Sequence, residues 1–270
     1  MAVIKIRNYS GYPSKSAQLP YDVNNVLSPR IVGGEDAPER YAKHMVALVL
    51  IGYVKMLSCG GSIIGKRHVL TAAHCIDPYV IWGELSPQLK GVVGSNYWNS
   101  TNYIEFTDYI IHPEYGWTSF TNDIGLLITA DKIVYSKFVG PIALNYDFID
   151  GAVRSFVTGW GRLEANGEVP HRLQLLYLNT MSHIQCVWAF ISVGFPSTVD
   201  PELEICTLHS KGHGMCFGDS GSALVDAASR KLIGIVSWGY PCAVGFPDVF
   251  VRISAFEKFL RDALGKYVEH

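Results

Sequence analysis

Residues 67–75 read RHVLTAAHC, a β-branched apolar run that leads into a histidine and a cysteine. Similar short runs, dominated by Val, Ile, Tyr and Phe and separated by Gly, Pro, Asn or Asp, recur along the body of the chain. The clearest lie at 45–51, 103–111, 124–129, 153–158, 173–178, 231–238 and 248–253. Many short strands at this spacing predict a closed antiparallel β-barrel or a sandwich.

The C-terminal segment follows a different pattern. Apolar residues within 259–264 recur at helical spacing, which predicts a docked helix. Ser254 and Glu257 precede this run with the spacing of a capping box, in which each side chain bonds the backbone of the first turn. We therefore expect an all-β fold that ends in a short helix.

Composition narrows the possible functions. The chain has 270 residues, of which 49% are apolar and 17% charged, so it can bury a large core. The net charge is −2 and no basic run occurs, so the charge pattern does not support nucleic-acid binding. No apolar run approaches the roughly 18 residues of a membrane span. We expect a monomer that needs neither nucleic acid nor a membrane.

The first 30 residues differ in charge from the rest. They carry four basic side chains and one acidic one, a net charge of +3 (4 − 1). The other 240 residues carry 18 basic and 23 acidic side chains, a net charge of −5 (18 − 23). This contrast predicts a removable segment over residues 1–30 and a folded body over residues 31–270; an ordinary flexible terminus is the alternative.

The cysteine count points to an oxidising compartment. An even number of cysteines suits a secreted protein with three disulfides, although the count alone leaves the pairing open. Residues 1–12 lack the continuous apolar stretch of an export signal, so the expectation of secretion rests on the cysteines. No CxxC or HExxH motif is present, which makes zinc and metalloprotease interpretations weak. The six are Cys59, Cys75, Cys186, Cys206, Cys216 and Cys242.

Ser220 is the first candidate for chemistry, because it lies in the sequence GDSG at 218–221. A serine between glycines usually marks only a turn. However, small neighbours allow close approach to the backbone, and the N–H groups of Gly218 and Ser220 can point at one oxygen, as an oxyanion hole requires. A serine hydroxyl also needs a base to take its proton before it becomes a good nucleophile.

His74 and Asp123 complete the candidate set. His74 follows an apolar strand and is the candidate base, although an isolated histidine is more often packed in a core. Asp123 leads into the apolar run 124–127, where acids rarely occur unless they are paired or hydrogen-bonded. Holding an imidazole in one tautomer would be such a pairing. Together the three residues predict Ser-His-Asp hydrolysis.

With these motifs the sequence resembles the chymotrypsin/trypsin family of serine proteases over residues 31–270. That family is itself the reference case for this triad. The resemblance implies a double six-stranded antiparallel β-barrel and a secreted endopeptidase whose active site lies between the barrels. The motifs occur in family order at 31–34 (IVGG), 59–62 (CGGS), 71–75 (TAAHC), 123–127 (DIGLL), 158–161 (TGWG), 218–221 (GDSG) and 237–239 (SWG).

The resemblance also implies a disulfide pattern, with the bonds Cys59–Cys75, Cys186–Cys206 and Cys216–Cys242. A further bridge of many vertebrate relatives would fall at Ser155 and Asp226, so both of its halves are missing together. This absence is typical of an invertebrate enzyme.

Residues Arg30 and Ile31 match the family's activation site. Cleavage between them would free the amino group of Ile31, which the resemblance places against Asp219, where it would shape the oxyanion loop. A buried ion pair of this kind is tolerable only when both partners are present. The expected partners are polypeptide substrates, a trypsin-like activating protease and protein protease inhibitors.

The expected specificity pocket departs from trypsins. Gly214 stands where trypsins carry Asp, Gly239 leaves the mouth open, and Asp248 enters from the opposite wall. Asp248 either stays charged and attracts Lys or Arg, or is hydrogen-bonded aside or protonated, which leaves an apolar slot. The combination resembles arthropod chymotrypsin-like enzymes and crustacean collagenolytic proteases.

We expect cleavage after large hydrophobic and aromatic residues. A broad collagenolytic-type specificity that includes Lys and Arg, and a non-catalytic binding protein, are the alternatives. Ser237, Trp238 and Gly239 would pair with the substrate backbone as an added strand. No cofactor or metal is expected, and His209 and His213 are assigned to a loop near the pocket.

Overall fold

The computed structural model describes residues 31–192, 194, 198–240 and 242–266. Short strands account for most of its regular structure, as the apolar runs bounded by turn residues predict. In chain order they are β1 (Glu35–Asp36), β2 (Met45–Leu50), β3 (Met56–Ile63), β4 (His68–Thr71), β5 (Val80–Ile81), β6 (Glu84–Leu85), β7 (Leu89–Val92), β8 (Tyr103–Ile111), β9 (Gly125–Thr129), β10 (Arg154–Gly159), β11 (Gln174–Met181), β12 (Glu204–Leu208), β13 (Ala223–Asp226), β14 (Leu232–Gly239) and β15 (Asp248–Arg252).

These strands form the double barrel that the resemblance implies. The first barrel closes in the order β2-β3-β4-β9-β8-β7. In the second, β10, β13, β14, β15 and β12 follow one another, and the pairing of β11 with both β10 and β12 closes the ring. The two-residue strand β1 adds to β11 outside that ring. The expected all-β fold of two six-stranded antiparallel barrels is confirmed.

Each barrel encloses an apolar core. Val46, Leu70 and Leu126 are fully buried in the first barrel. Phe250 is fully buried in the second, and Ile31, the residue that follows the expected cleavage site, joins the same cluster. The start of the folded body is therefore part of the core of the second barrel.

The structure contains a helix that the sequence analysis missed. Helix α1 (His183–Ile191) begins with a capping box, in which the Ser182 side chain accepts from the backbone of Gln185 and the Gln185 side chain bonds back to Ser182. The helix is apolar on two sides: Phe190 is buried, whereas Trp188 is exposed. Because one apolar face is what reveals a helix in a sequence, this segment showed no clear period.

Helix α2 (Glu257–Gly265) confirms the C-terminal helix but not its predicted start. Ser254 lies in a 3-10 turn spanning Ile253–Phe256, and Phe256 caps the α-helix without a side-chain bond. Glu257 instead accepts from Arg261 Nε at 2.7 Å, one turn further along. The predicted capping box is therefore wrong. Within the described residues, no helix is long and apolar enough to cross a membrane.

The three disulfides are those that the resemblance implies: Cys59–Cys75, Cys186–Cys206 and Cys216–Cys242. The positions of the missing fourth bridge, Ser155 and Asp226, lie directly opposite each other on β10 and β13. Cross-strand neighbours are close enough for such a link, so the family alignment of these two positions agrees with the fold.

Candidate active site

His74 and Asp123 meet because their strands are neighbours in the first barrel. His74 lies in the 3-10 turn Ala73–Cys75 just after β4, and Asp123 lies just before β9. Since β4 and β9 pair with Thr71 opposite Gly125, the two side chains emerge at the same end of the barrel. His74 Nδ1 is 2.7 Å from Asp123 Oδ2, and the His74 backbone N–H donates to Asp123 Oδ1 at 2.9 Å.

A third donor reaches the same carboxylate from the second barrel. The Ser237 hydroxyl on β14 donates to Asp123 Oδ2 at 2.6 Å, and both residues are buried. Asp123 therefore spans the two barrels and holds the imidazole in one orientation. Because a carboxylate accepts, Nδ1 of His74 carries the proton and Nε2 of the neutral ring is left as the acceptor.

Ser220 lies on a loop of the second barrel that sits against the first. Its carbonyl accepts from the backbone N–H of Gly60 at 2.7 Å. The next residue, Gly221, has φ +79°, and a Cβ there would lie 2.1 Å from Thr71 Oγ1. Only glycine fits such a close approach in a left-handed conformation.

A disulfide completes the link between Ser220 and the histidine. Gly60, which binds the Ser220 carbonyl, follows Cys59, and Cys59 is bonded to Cys75 beside His74. Within the described residues the Ser220 hydroxyl makes no hydrogen bond to His74. Such catalytic bonds are often long in the free enzyme and shorten when substrate binds.

The backbone around Gly218 is held in one orientation by its neighbours. Gly218 has φ +100°, and a Cβ there would lie 3.3 Å from Gly161 Cα. The Phe217 carbonyl accepts from the N–H of Arg162 at 2.8 Å, which fixes the peptide between Phe217 and Gly218. In a trans peptide the N–H points away from the carbonyl, so the Gly218 N–H faces the side opposite Arg162.

Asp219 is completely buried beneath this loop. Its Oδ1 accepts from the N–H of Gly161 at 2.8 Å and its Oδ2 from the N–H of Cys216 at 3.0 Å. Burial raises the pKa of Asp219 to about 7, against the two backbone bonds, which lower it. In the part of the chain that the structure describes, no Lys, Arg or His side chain forms an ion pair with Asp219. A Cβ on Gly159 would lie 2.2 Å from Asp219 Oδ1, so no larger residue fits there.

The segment after the expected cleavage site lies inside the fold. Ile31 has no exposed surface, and the Val32 carbonyl accepts from the N–H of Gly214 at 3.1 Å. Gly33 has φ +80°, and a Cβ there would lie 2.0 Å from His213 Cδ2. The expected activation segment, the expected pocket residue Gly214 and the loop that carries His213 are thus in direct contact.

The three residues expected to line the specificity pocket also come together. Asp248 on β15 lies opposite Gly239 on β14, and a Cβ on Gly214 would lie 2.8 Å from Asp248 Oδ2. That oxygen accepts from the N–H of Met215 at 3.1 Å. Asp248 is only 8% exposed, and burial raises its pKa to about 7, against the Met215 bond, which lowers it. The carboxylate is hydrogen-bonded to the wall instead of standing free in the opening.

Two residues near the site were not singled out in the sequence. Phe120 packs edge-on against His74, with ring centroids 5.5 Å apart, and no sequence signal marks it. Glu204 accepts from the indole N–H of Trp238 at 2.6 Å. Glu204 could have been found in the sequence as an acid within the apolar run 204–208, which is the pattern that marked Asp123. It was missed because that run was not predicted to be a strand.

A double β-barrel with a carboxylate-bound histidine and a GDSG serine at the junction of the barrels is the architecture of a serine endopeptidase. The trypsin family profile matches residues 31–260. The chain is 36% identical to Chymotrypsin-2 of Vespa crabro over 228 residues, which is 84% of this chain and 96% of that one. It is 30% identical to Trypsin alpha-4 of Lucilia cuprina over 92% of each chain. It is also 30% identical to a vitellin-degrading protease of Bombyx mori, over 86% of this chain and 84% of that one.

The chain therefore belongs to the trypsin family of serine proteases, and it resembles arthropod members of that family. It is a serine endopeptidase and acts on polypeptides.

Proposed function

We propose that the chain is the zymogen of a secreted, chymotrypsin-like endopeptidase that cuts after large hydrophobic and aromatic residues. The observation that carries the specificity is the placement of Asp248, buried over Gly214 and bonded to the Met215 N–H at 3.1 Å. Burial raises the pKa of this carboxyl to about 7, so it keeps its proton at mildly acidic pH, where the site presents an apolar slot to the substrate side chain.

The proposed mechanism uses the three residues gathered at the junction of the barrels. Ser220 attacks the carbonyl carbon of the scissile bond while His74 Nε2 takes the hydroxyl proton, and His74 later protonates the leaving amine. Asp123 orients His74 and stabilises the imidazolium that forms. The N–H groups of Gly218 and Ser220 hold the oxyanion. The strand 237–239 pairs with the substrate backbone.

Activation follows cleavage between Arg30 and Ile31 by a trypsin-like protease, which divides the chain into a propeptide (1–30) and a protease domain (31–270). Support comes from Asp219, a buried carboxyl with two backbone donors and a pKa raised to about 7. An ammonium at Ile31, which is fully buried in the same barrel, supplies the opposite charge that such a group needs. Secretion is supported by the three disulfides, and protein protease inhibitors are the expected regulators.

One observation favours a second candidate. Because the pKa of Asp248 lies near 7, the carboxyl can lose its proton at alkaline pH and attract a Lys or Arg side chain. The enzyme then has the broad specificity of a collagenolytic-type protease. The third candidate, a non-catalytic binding protein, has little support, because His74, Asp123, Gly218 and Ser220 are all present.

A cleavage profile before and after trypsin treatment tests the proposal, with matched peptides that differ only in Phe, Leu, Arg or Lys before the scissile bond. We expect activity only after treatment, with Phe and Leu preferred at pH 6 to 7. Turnover of Arg or Lys at that pH, with trypsin inhibited, would favour the broad enzyme. Biological activity that survives Ser220→Ala would favour a binding protein.

A further inference from the structure

A buried carboxylate outside the proposed triad holds a tryptophan beside the site. Glu204 is 9% exposed at the start of β12. Its Oε1 accepts from the Trp238 indole N–H at 2.6 Å, and its Oε2 accepts from the Asp200 backbone N–H at 2.8 Å. Each carboxylate oxygen therefore has one donor.

No cation neutralises this carboxylate within the described residues. Arg252 is the nearby cation, but its guanidinium donates to the backbone carbonyls of Pro201, Ile149 and Glu204 itself. Burial raises the pKa of the Glu204 carboxyl, as do the negative charges of Asp200 and Asp123, whereas the two hydrogen bonds lower it. A buried acid without a counter-ion lowers the stability of the fold. A functional role for Glu204 would explain why an acid is present at this position.

The role that the geometry supports is to fix the orientation of Trp238. The indole stacks on Phe190, with centroids 5.8 Å apart and planes 30° apart, but stacking alone leaves the ring free to slide. The bond to a charged acceptor sets its direction, because charge-assisted bonds are shorter and about twice as strong as neutral ones. Along β14, Trp238 lies between Ser237, which binds Asp123, and Gly239, which lies opposite Asp248.

We propose that Glu204 is a positioning residue that locks Trp238 as a wall of the substrate cleft. The inference rests on the proposed function, in which strand 237–239 pairs with the substrate. A substrate strand passes Trp238 only when it extends beyond the residue held at Asp248. Glu204 therefore selects for extended peptides and has no part in the reaction at the scissile bond.

The test compares two activated variants on two substrates. Glu204→Gln keeps the shape of the side chain but removes its charge, and Glu202→Gln, an exposed acid two residues earlier, is the matched control. The long substrate is a tetrapeptide amide, and the short one keeps only the residue before the scissile bond. For Glu204→Gln we expect kcat/KM on the long substrate to fall about tenfold, mostly through KM, as when a hydrogen bond to a charged group is lost.

Three readouts separate positioning from a merely structural role. Hydrolysis of the short substrate should stay unchanged, and so should the rate at which a small sulfonyl fluoride sulfonylates the Ser220 oxygen with loss of fluoride. Trp238→Phe removes the indole N–H and should cause a similar loss on the long substrate, and the double variant should lose little more.

In the wild type the ratio of long to short turnover should fall as the pH drops through the raised pKa of Glu204. The ratio should be flat in Glu204→Gln.

Equal losses on both substrates, or a loss of thermal stability alone, would overturn the inference. If the enzyme prefers Lys or Arg, only the proposed specificity is contradicted. The ratio of long to short turnover can then be measured on Lys peptides, and the inference is still tested. If no peptide is hydrolysed, the proposed function fails independently of this inference. The dissociation constants of the long and short substrates are then compared between the wild-type and Glu204→Gln proteins in place of the turnover ratio.

Discussion

Buried acids in the two barrels are satisfied to different degrees. Asp123, which leads into β9 of the first barrel, accepts three hydrogen bonds, two from His74 and one from Ser237. In the second barrel, Asp219 and Glu204 each accept two and Asp248 accepts one. Burial raises the pKa of all three of these second-barrel carboxyls.

The difference suggests two tasks for buried acids in this fold. A carboxylate with its acceptor sites filled by fixed donors is a rigid support that is complete before substrate arrives. Asp219 and Asp248, which have fewer donors, are acids whose charge depends on something added later, such as a proton, an amino terminus or a substrate side chain. The predictions below probe this contrast, from the largest effect to the smallest.

The largest effect should come from Asp123→Asn. Asparagine cannot accept all three hydrogen bonds, because its amide nitrogen would face one of the same donors. The histidine then takes the wrong tautomer, and kcat should fall by about four orders of magnitude, as in the reference case of this triad. Steady-state kinetics on the activated enzyme measures the loss. Asp147→Asn, at an exposed position, is the control, and a drop under tenfold for Asp123→Asn would contradict the assigned role.

Asp219→Asn should block activation without touching the triad. The amide cannot pair with the ammonium of Ile31, and breaking a buried ion pair costs about 3–5 kcal/mol, which corresponds to a loss of at least about a hundredfold in active enzyme. Amino-terminal sequencing would first establish that the variant is cut at Arg30. Full activity of the cut variant would show that Asp219 does not receive the new terminus.

Asp248→Asn should stabilise the protein at alkaline pH. The pKa of Asp248 is raised from 3.8 to about 7 by burial, so the folded state keeps a proton that the unfolded state has released. The stability of the wild type therefore falls as the pH rises from about 4 and levels off above about 7. The variant avoids this cost and still accepts from Met215 N. We expect a gain of roughly 2–4 kcal/mol in the free energy of unfolding at pH 8.

Urea unfolding of wild type and Asp248→Asn at pH 4 and pH 8 checks this sign. The difference should be small at pH 4, where the carboxyl stays protonated in the folded state and is still about half protonated in the unfolded state. A gain that is equal at both pH values would mean that packing, not proton release, is the cause. The same variant should also lose any turnover of Lys or Arg peptides at pH 9.

The smallest effect should come from Ser237→Ala. This change removes one of the three donors to Asp123 and leaves both bonds from His74 in place. Loss of one hydrogen bond to a charged group should lower kcat by about tenfold. Ser62→Ala offers a comparison, because the Ser62 hydroxyl is buried without a hydrogen-bond partner within the described residues. A kcat unchanged by Ser237→Ala would show that the third donor is redundant.

The sequence was sufficient wherever a feature depends on residues close together in the chain. Short apolar runs separated by turn residues predicted strands, the motif GDSG placed a serine among small neighbours, and Asp123 stood out as an acid entering an apolar strand. The resemblance then supplied the pairing of all three disulfides. The predicted capping box at Ser254 failed because the final turn is set by how Ile253 and Phe256 pack in the core, not by the local motif.

What only the tertiary structure decided concerns contacts between distant segments. Ser237 and Asp123 are 114 residues apart in the chain, and Trp238 and Glu204 are 34 apart. Asp248 was visible in the sequence, but whether it stood free or bonded to Met215 was left open. Closing each barrel fixes which strand ends meet, and the docking of one barrel on the other sets the directions of their side chains. The chain alone thus determined which chemical groups are present, and packing determined which of them touch, because hydrogen bonds depend on tenths of an ångström that no local pattern encodes.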